Sequence, residues 1–136
     1  MADILQEFTI KAPQKRVFET MATPEGLSRW WTKSATGEAK ENADFGLFSG
    51  SGYDWRGQVT RYTPESAFEL LITQAHPDWM GTRVGFQLVP ESQSVTLCFS
   101  TTHWLVSCFC WAMYLRLLRR YLEYGEVVPY ENRLEV

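Results

Sequence analysis

Only one segment of this chain, Leu105 to Glu123, keeps apolar residues at helical spacing long enough to make a long helix. Cys108, Trp111, Ala112, Leu115 and Leu122 fall on one stripe, Leu118 widens it, and Arg116, Arg119, Arg120 and Glu123 lie mostly away from it. Gly125 suits a C-terminal cap. Everything from Thr36 to Thr102 reads instead as strand and turn, punctuated by Gly37, Gly46, Gly50, Gly52, Pro64 and Pro90. The expected strands are Ser34–Lys40, Asp44–Phe48, Tyr53–Tyr62, Ala67–Gln74, Thr82–Val89 and Ser94–Thr102. The last two alternate clearly, with Val84, Phe86 and Leu88 on one face of one, and Val95, Leu97 and Phe99 on one face of the other.

The start of the chain completes the pattern. Ile4 to Lys11 alternates as a half-buried strand should, and Ala12-Pro13 ends it. Pro13 opens a helical turn whose apolar face is Val17, Phe18 and Met21. Thr23-Pro24-Glu25 is a second helix start, with Thr23 as N-cap and Leu27, Trp30 and Trp31 inward. A strand, two short helices, a run of strands and one long terminal helix describe an α+β fold. In it a curved antiparallel sheet wraps around the terminal helix and can enclose a cavity.

Composition narrows the function. The 136 residues suit one domain. The net charge of -3, with no basic stripe, argues against nucleic acid as a partner. The run from Trp104 to Leu115 is too short to span a bilayer, and Arg116 interrupts it, so no membrane span is expected. The first residues lack the pattern of a secretory signal, and three cysteines do not make a disulfide framework; a reducing cytoplasm is the expected home. Aromatic residues, at 15%, are the anomaly. Such side chains fill cores and line small-molecule pockets.

The segments Ile10-Lys-Ala-Pro-Gln-Lys-Arg-Val-Phe18 and Thr23-Pro-Glu-Gly-Leu-Ser-Arg-Trp-Trp-Thr32 resemble the opening of the activator-of-heat-shock-ATPase homologue proteins. These belong to the START/SRPBCC superfamily, which shares the helix-grip fold of the birch-pollen allergen. Gly57-Gln-Val-Thr-Arg-Tyr-Thr-Pro64 and the terminal Trp111…Leu115…Leu118…Tyr121-Leu-Glu-Tyr-Gly125 helix are similar as well. The resemblance implies a single helix-grip domain over residues 1–126, followed by a tail over 127–136. Its members include lipid carriers, hormone receptors, polyketide cyclases, hydratases and a co-chaperone domain. They share a cavity but no catalytic motif, so fold alone does not supply the chemistry. Many relatives keep polar residues at the start of the long helix. Here His103-Trp-Leu-Val-Ser-Cys-Phe-Cys-Trp111 is almost wholly apolar, which implies a greasy pocket or one filled by its own side chains.

Candidate site residues follow. Trp30, Trp55, Phe86, Phe99, Trp104, Cys108, Trp111 and Leu115 are expected to converge between sheet and long helix and to line a cavity for an apolar, lipid-like or aromatic ligand; an ordinary filled core is the competing reading. Cys108 and Cys110 point to opposite sides of a helix, so buried structural thiols, Cys98 included, are expected rather than a metal or cofactor. His103, near the expected cavity mouth, is weighed as the acid or base of a cyclase or hydratase, and His76 and Asp78 as loop residues of the same region; for all three a solvated loop is the default, and binding without turnover is the leading reading. Asp54, Arg56, Arg61 and Glu69 sit on adjacent strands and are suited to pair across the sheet; alternation turns Arg56 and Glu69 outward and leaves Asp54 and Arg61 undecided. An aromatic-rich surface supports a homodimer, and the co-chaperone likeness implies a chaperone contact through the outer sheet face or the tail.

Overall fold

The computed structural model describes residues 4–50, 52–77, 79–102 and 108–135. Its strands are β1 (Ile4–Ile10), β2 (Ser34–Gly37), β3 (Asp44–Phe48), β4 (Asp54–Thr63), β5 (Ala67–Gln74), β6 (Arg83–Pro90) and β7 (Val95–Thr102). They form one antiparallel, curved sheet in the order β1-β7-β6-β5-β4-β3-β2. All links from β2 to β7 are local, and only β1 reaches across to the last strand, pairing Ile4 with Thr101 through to Ile10 with Val95. Two register shifts between β4 and β5, at Arg56/Gly57 and Val59/Arg61, bend the sheet. Helices α1 (Gln14–Ala22), α2 (Pro24–Leu27) and α3 (Cys108–Tyr124) accompany it. This is the helix-grip arrangement.

The junction between α1 and α2 shows how the sequence sets the geometry. A residue before proline is pushed out of the helical region, and Thr23 adopts φ -117°, ψ 151° before Pro24. Its hydroxyl donates to Glu19 O at 2.6 Å and accepts from Gly26 N at 3.1 Å, so one side chain closes α1 and opens α2. Gly26 lets the two helices touch: a Cβ there would lie 2.4 Å from Thr20 O. Helix α2 is shorter than the sequence implies and ends at Leu27, yet the turn after it still buries Trp30 and Trp31. The Trp30 indole N–H donates to Thr20 O at 3.1 Å, which fixes the ring against α1.

Helix α3 lays Trp111, Leu115, Leu118 and Leu122 into the core as expected. Ala112 is exposed, and Met113 and Leu117 are buried instead, so the covered face is wider and rotated from the predicted stripe. Glu123 is also not a solvated residue. Its carboxylate accepts from Lys11 N at 2.9 Å and from Arg119 Nε at 3.2 Å, tying the end of α3 to the end of β1. Arg16 reinforces this corner by donating to Leu122 O at 3.2 Å. Gly125, at φ 69°, caps the helix by donating to Tyr121 O.

The segment after Gly125 is no free tail. Tyr130–Glu135 forms a 3-10 helix that returns to the α2–β2 turn. Arg133 is only 4% exposed and donates to four carbonyls: Val128 (3.0 Å), Trp31 (3.3 Å), Thr32 (3.1 Å) and Ser28 (3.1 Å). Tyr130 donates to Ser49 O at 2.8 Å. Pro129 and mixed charges suggest a loose end, but a guanidinium has enough donors to satisfy a whole turn of unpaired carbonyls.

Candidate ligand-binding site

The inward residues of β6 and β7 supply the floor. Phe86 and Phe99 are cross-strand partners with ring centroids 5.4 Å apart. Trp111 descends from α3 onto Phe99 at 4.8 Å. Trp31 meets Trp111 at 5.0 Å, Trp30 meets Trp31 at 6.1 Å, and Phe86 meets Trp30 at 6.0 Å. Five buried rings therefore close a circuit: Trp111, Phe99, Phe86, Trp30, Trp31. A spur leads outward from it, since Trp79 lies 5.8 Å from Trp111 and Trp55 lies 4.7 Å from Trp79. Both spur residues are half-buried, and Tyr114 flanks Trp111 at 6.0 Å. These separations and tilts are those of attractive aromatic pairs.

Of the residues singled out in the sequence, Trp30, Phe86, Phe99 and Trp111 come together, and Leu115 is buried on the same helix. Trp55 does not join the circuit but stands at the end of the spur. His103, Trp104 and Asp78 lie outside the described residues, as does the side chain of Cys108. Sequence reasoning missed Trp31, Trp79 and Tyr114 as lining residues. Trp31 was legible in the Trp-Trp pair, because a turn after a four-residue helix can bury both rings. Trp79 sits in the loop between β5 and β6, with no periodicity to reveal its direction.

Two buried side-chain polar atoms have no hydrogen-bond partner among the described residues, Trp111 Nε1 and Thr32 Oγ1. Trp111 belongs to the ring circuit, and Thr32 follows Trp31 in the chain. Among the described residues no group of three His, Cys, Asp or Glu could hold a metal ion.

The opposite face of the sheet is polar. Its hollow of about 390 Å³ is floored by Gly85 and bordered by Leu5, Glu7, Arg61, Glu69 and Cys98. Glu69 accepts from Thr60 Oγ1 at 2.8 Å and pairs with Arg83 at 3.1 Å, rather than with Arg61 directly opposite it in register. Asp54 and Arg61 are exposed, and Asp54 pairs with Arg56 at 3.5 Å. Cys98 is no core thiol. It is half-buried on this outer face, 3.9 Å from Glu7 Oε2. Partial burial, then the Glu7 charge and hydrogen bond, push its pKa up and so disfavour the thiolate.

The family model described as activator of Hsp90 ATPase homolog 1-like protein matches residues 11–123. The chain belongs to this family. Among solved structures it is similar to the Aha1 dimer from Colwellia psychrerythraea, at 25% identity and TM-score 0.78, covering 93% of this chain and 99% of that one. It is similar in fold to protein MLL2253 from Mesorhizobium loti, at 14% identity and TM-score 0.81, covering 93% and 100%. CalU16 from Micromonospora echinospora shares the fold at 19% identity and TM-score 0.74, covering 98% and 84%. No curated protein matches the chain. Among the described residues, no helix is long and apolar enough to cross a membrane.

Proposed function

We propose that the protein binds an apolar, aromatic small molecule at the ring circuit between sheet and α3, admitted past Trp55 and Trp79. The observation that carries this reading is the unbroken run of rings from the half-buried Trp55–Trp79 pair to the buried Trp111. A filled core needs no such run to the surface, whereas a flat ligand gains stacking at each step along one. The rings touch one another, so the ligand makes its room by displacing Trp79 and turning Trp31. Flat polycyclic molecules fit this geometry better than saturated lipid chains.

A ligand that binds only the folded state raises its stability by mass action, by about 2.7 kcal/mol at a hundredfold excess over Kd. A panel of flavones, polycyclic ketones and fatty acids therefore gives a rise in melting temperature for the flat aromatics. A panel with no rise in any member at saturating concentration removes the reading.

A homodimer is a second reading. The Colwellia psychrerythraea relative was solved as a dimer, and Leu5 and Tyr124 of this chain are 76% and 77% exposed.

A further inference from the structure

Strand β1 ends the sheet with a long edge that has no neighbour. It pairs with β7 alone, from Ile4–Thr101 to Ile10–Val95. In an end strand, alternate backbone N–H and C=O groups point away from the sheet. The edge closes just past its end, where Lys11 N donates to Glu123 at 2.9 Å and Ile10 O accepts from Ala12 N at 3.1 Å. From Ile4 to Thr9, the backbone meets nothing but β7 among the described residues. Edges are commonly blunted by a proline, a bulge or an inward charge. β1 has none of these: it contains no proline, its register has no shift, and its inward positions Gln6, Phe8 and Ile10 are uncharged. At the other end of the sheet, β2 has only four residues to offer.

Beside this edge runs a groove of about 190 Å³, bordered by Gln6 and Phe8 of β1 and by Ala112, Leu115, Arg116 and Arg119 of α3. Its floor is apolar, since Phe8 is half-buried and Leu115 is buried. Its helix wall is cationic. Arg119 engages Glu123 through Nε, and the exposed Arg116 has no ion-pair partner among the described residues. A second copy paired edge to edge would bring its own Arg116 and Arg119 to the same groove. Like charges would then crowd the two-fold axis, which disfavours that occupant. We infer that β1 takes an added strand from an acidic partner protein. An extended segment bonds to the free edge, sets an apolar side chain over Phe8 and turns acidic ones toward Arg116 and Arg119. This site is separate from the ring circuit and does not depend on a ligand there.

The test uses two capped, fluorescein-labelled peptides, Thr-Glu-Thr-Val-Thr-Glu-Thr and its counterpart with lysine in place of both glutamates. As strands, each puts its valine and two charges on one face and its threonines on the other. Affinity for the full chain is read by fluorescence anisotropy, and amide exchange along β1 by NMR. The acidic peptide is expected to bind at least about tenfold more tightly than the lysine peptide, to weaken as salt rises, and to slow exchange at alternate β1 amides. Arg116→Glu and Ala112→Glu, each at an exposed position of the helix wall, are each expected to weaken it about tenfold with little change in Tm. Failure of the acidic peptide to bind, equal affinity for the two peptides, affinity unchanged in both variants, or binding without added protection on β1 overturns the inference. So does a free protein whose outward β1 amides are already protected, because the edge is then occupied by a second copy or by the chain itself.

Discussion

At the scale of single residues, two charged side chains hold distant parts of the chain together. Arg133 satisfies carbonyls from the α2–β2 turn and from its own segment. Arg133→Ala leaves those carbonyls buried and unmet, and is expected to cost about 2–4 kcal/mol in urea unfolding. Arg133→Lys recovers little, because an ammonium cannot reproduce the planar fork. A loss under about 0.5 kcal/mol for the alanine variant would show that water replaces the guanidinium. Glu123 makes the other tie. Burial by itself pushes its carboxyl up, but the Lys11 amide, the Arg119 hydrogen bond and the charges of both residues outweigh this and hold it below its ordinary 4.5. A carboxyl with a depressed folded pKa binds its proton first in the unfolded chain. Its stabilisation is therefore complete above its ordinary value and is lost as pH falls through the folded one. The stability gap between wild type and Glu123→Gln is thus widest near neutrality and closes below about pH 4.5. A gap that stays constant on acidification would mean that the contact, not the charge, is what matters.

At the scale of elements, α3 is where the sequence pattern and the structure part company. Periodicity locates the helix and four of its buried residues, Trp111, Leu115, Leu118 and Leu122. It misassigns Ala112, because the buried face is rotated toward Met113 and Leu117, and alanine is too weakly apolar to fix where a stripe lies. Leu118 is fully buried, so Leu118→Ala should cost about 2–5 kcal/mol, whereas Ala112→Glu should cost less than about 0.5 kcal/mol by thermal unfolding. Similar losses for both would put the buried face elsewhere. The strands were more legible. Asp44–Phe48 and Ala67–Gln74 have the ends their turn residues imply, and the β7 alternation puts Leu97 and Phe99 inside with Cys98 outside. The pairing of Glu69 with Arg83 was not legible, because register tells which residue lies opposite but not which way a long side chain leans.

At the scale of the whole molecule, the sheet's order follows from local hairpins plus one closure, β1 onto β7, and this shape puts the first turn helices and the terminal helix on the same face. The aromatic excess in the composition is spent there. Which rings touch was only half legible: the alternation of Phe86 and Phe99 announces the floor and the Trp30-Trp31 pair faces inward as expected, but Trp79 and Trp55 come from a loop and a strand end whose directions depend on tertiary packing. The role proposed for this face is to receive a small molecule. Native mass spectrometry of the purified protein, set against its denatured mass and repeated after saturation with a flavone, is the sharpest test. Binding at this face predicts a protein that carries, or takes up, one small molecule per chain and releases it on denaturation. A bare chain in every spectrum, before and after saturation, would contradict it and leave the ring circuit as a core and nothing more.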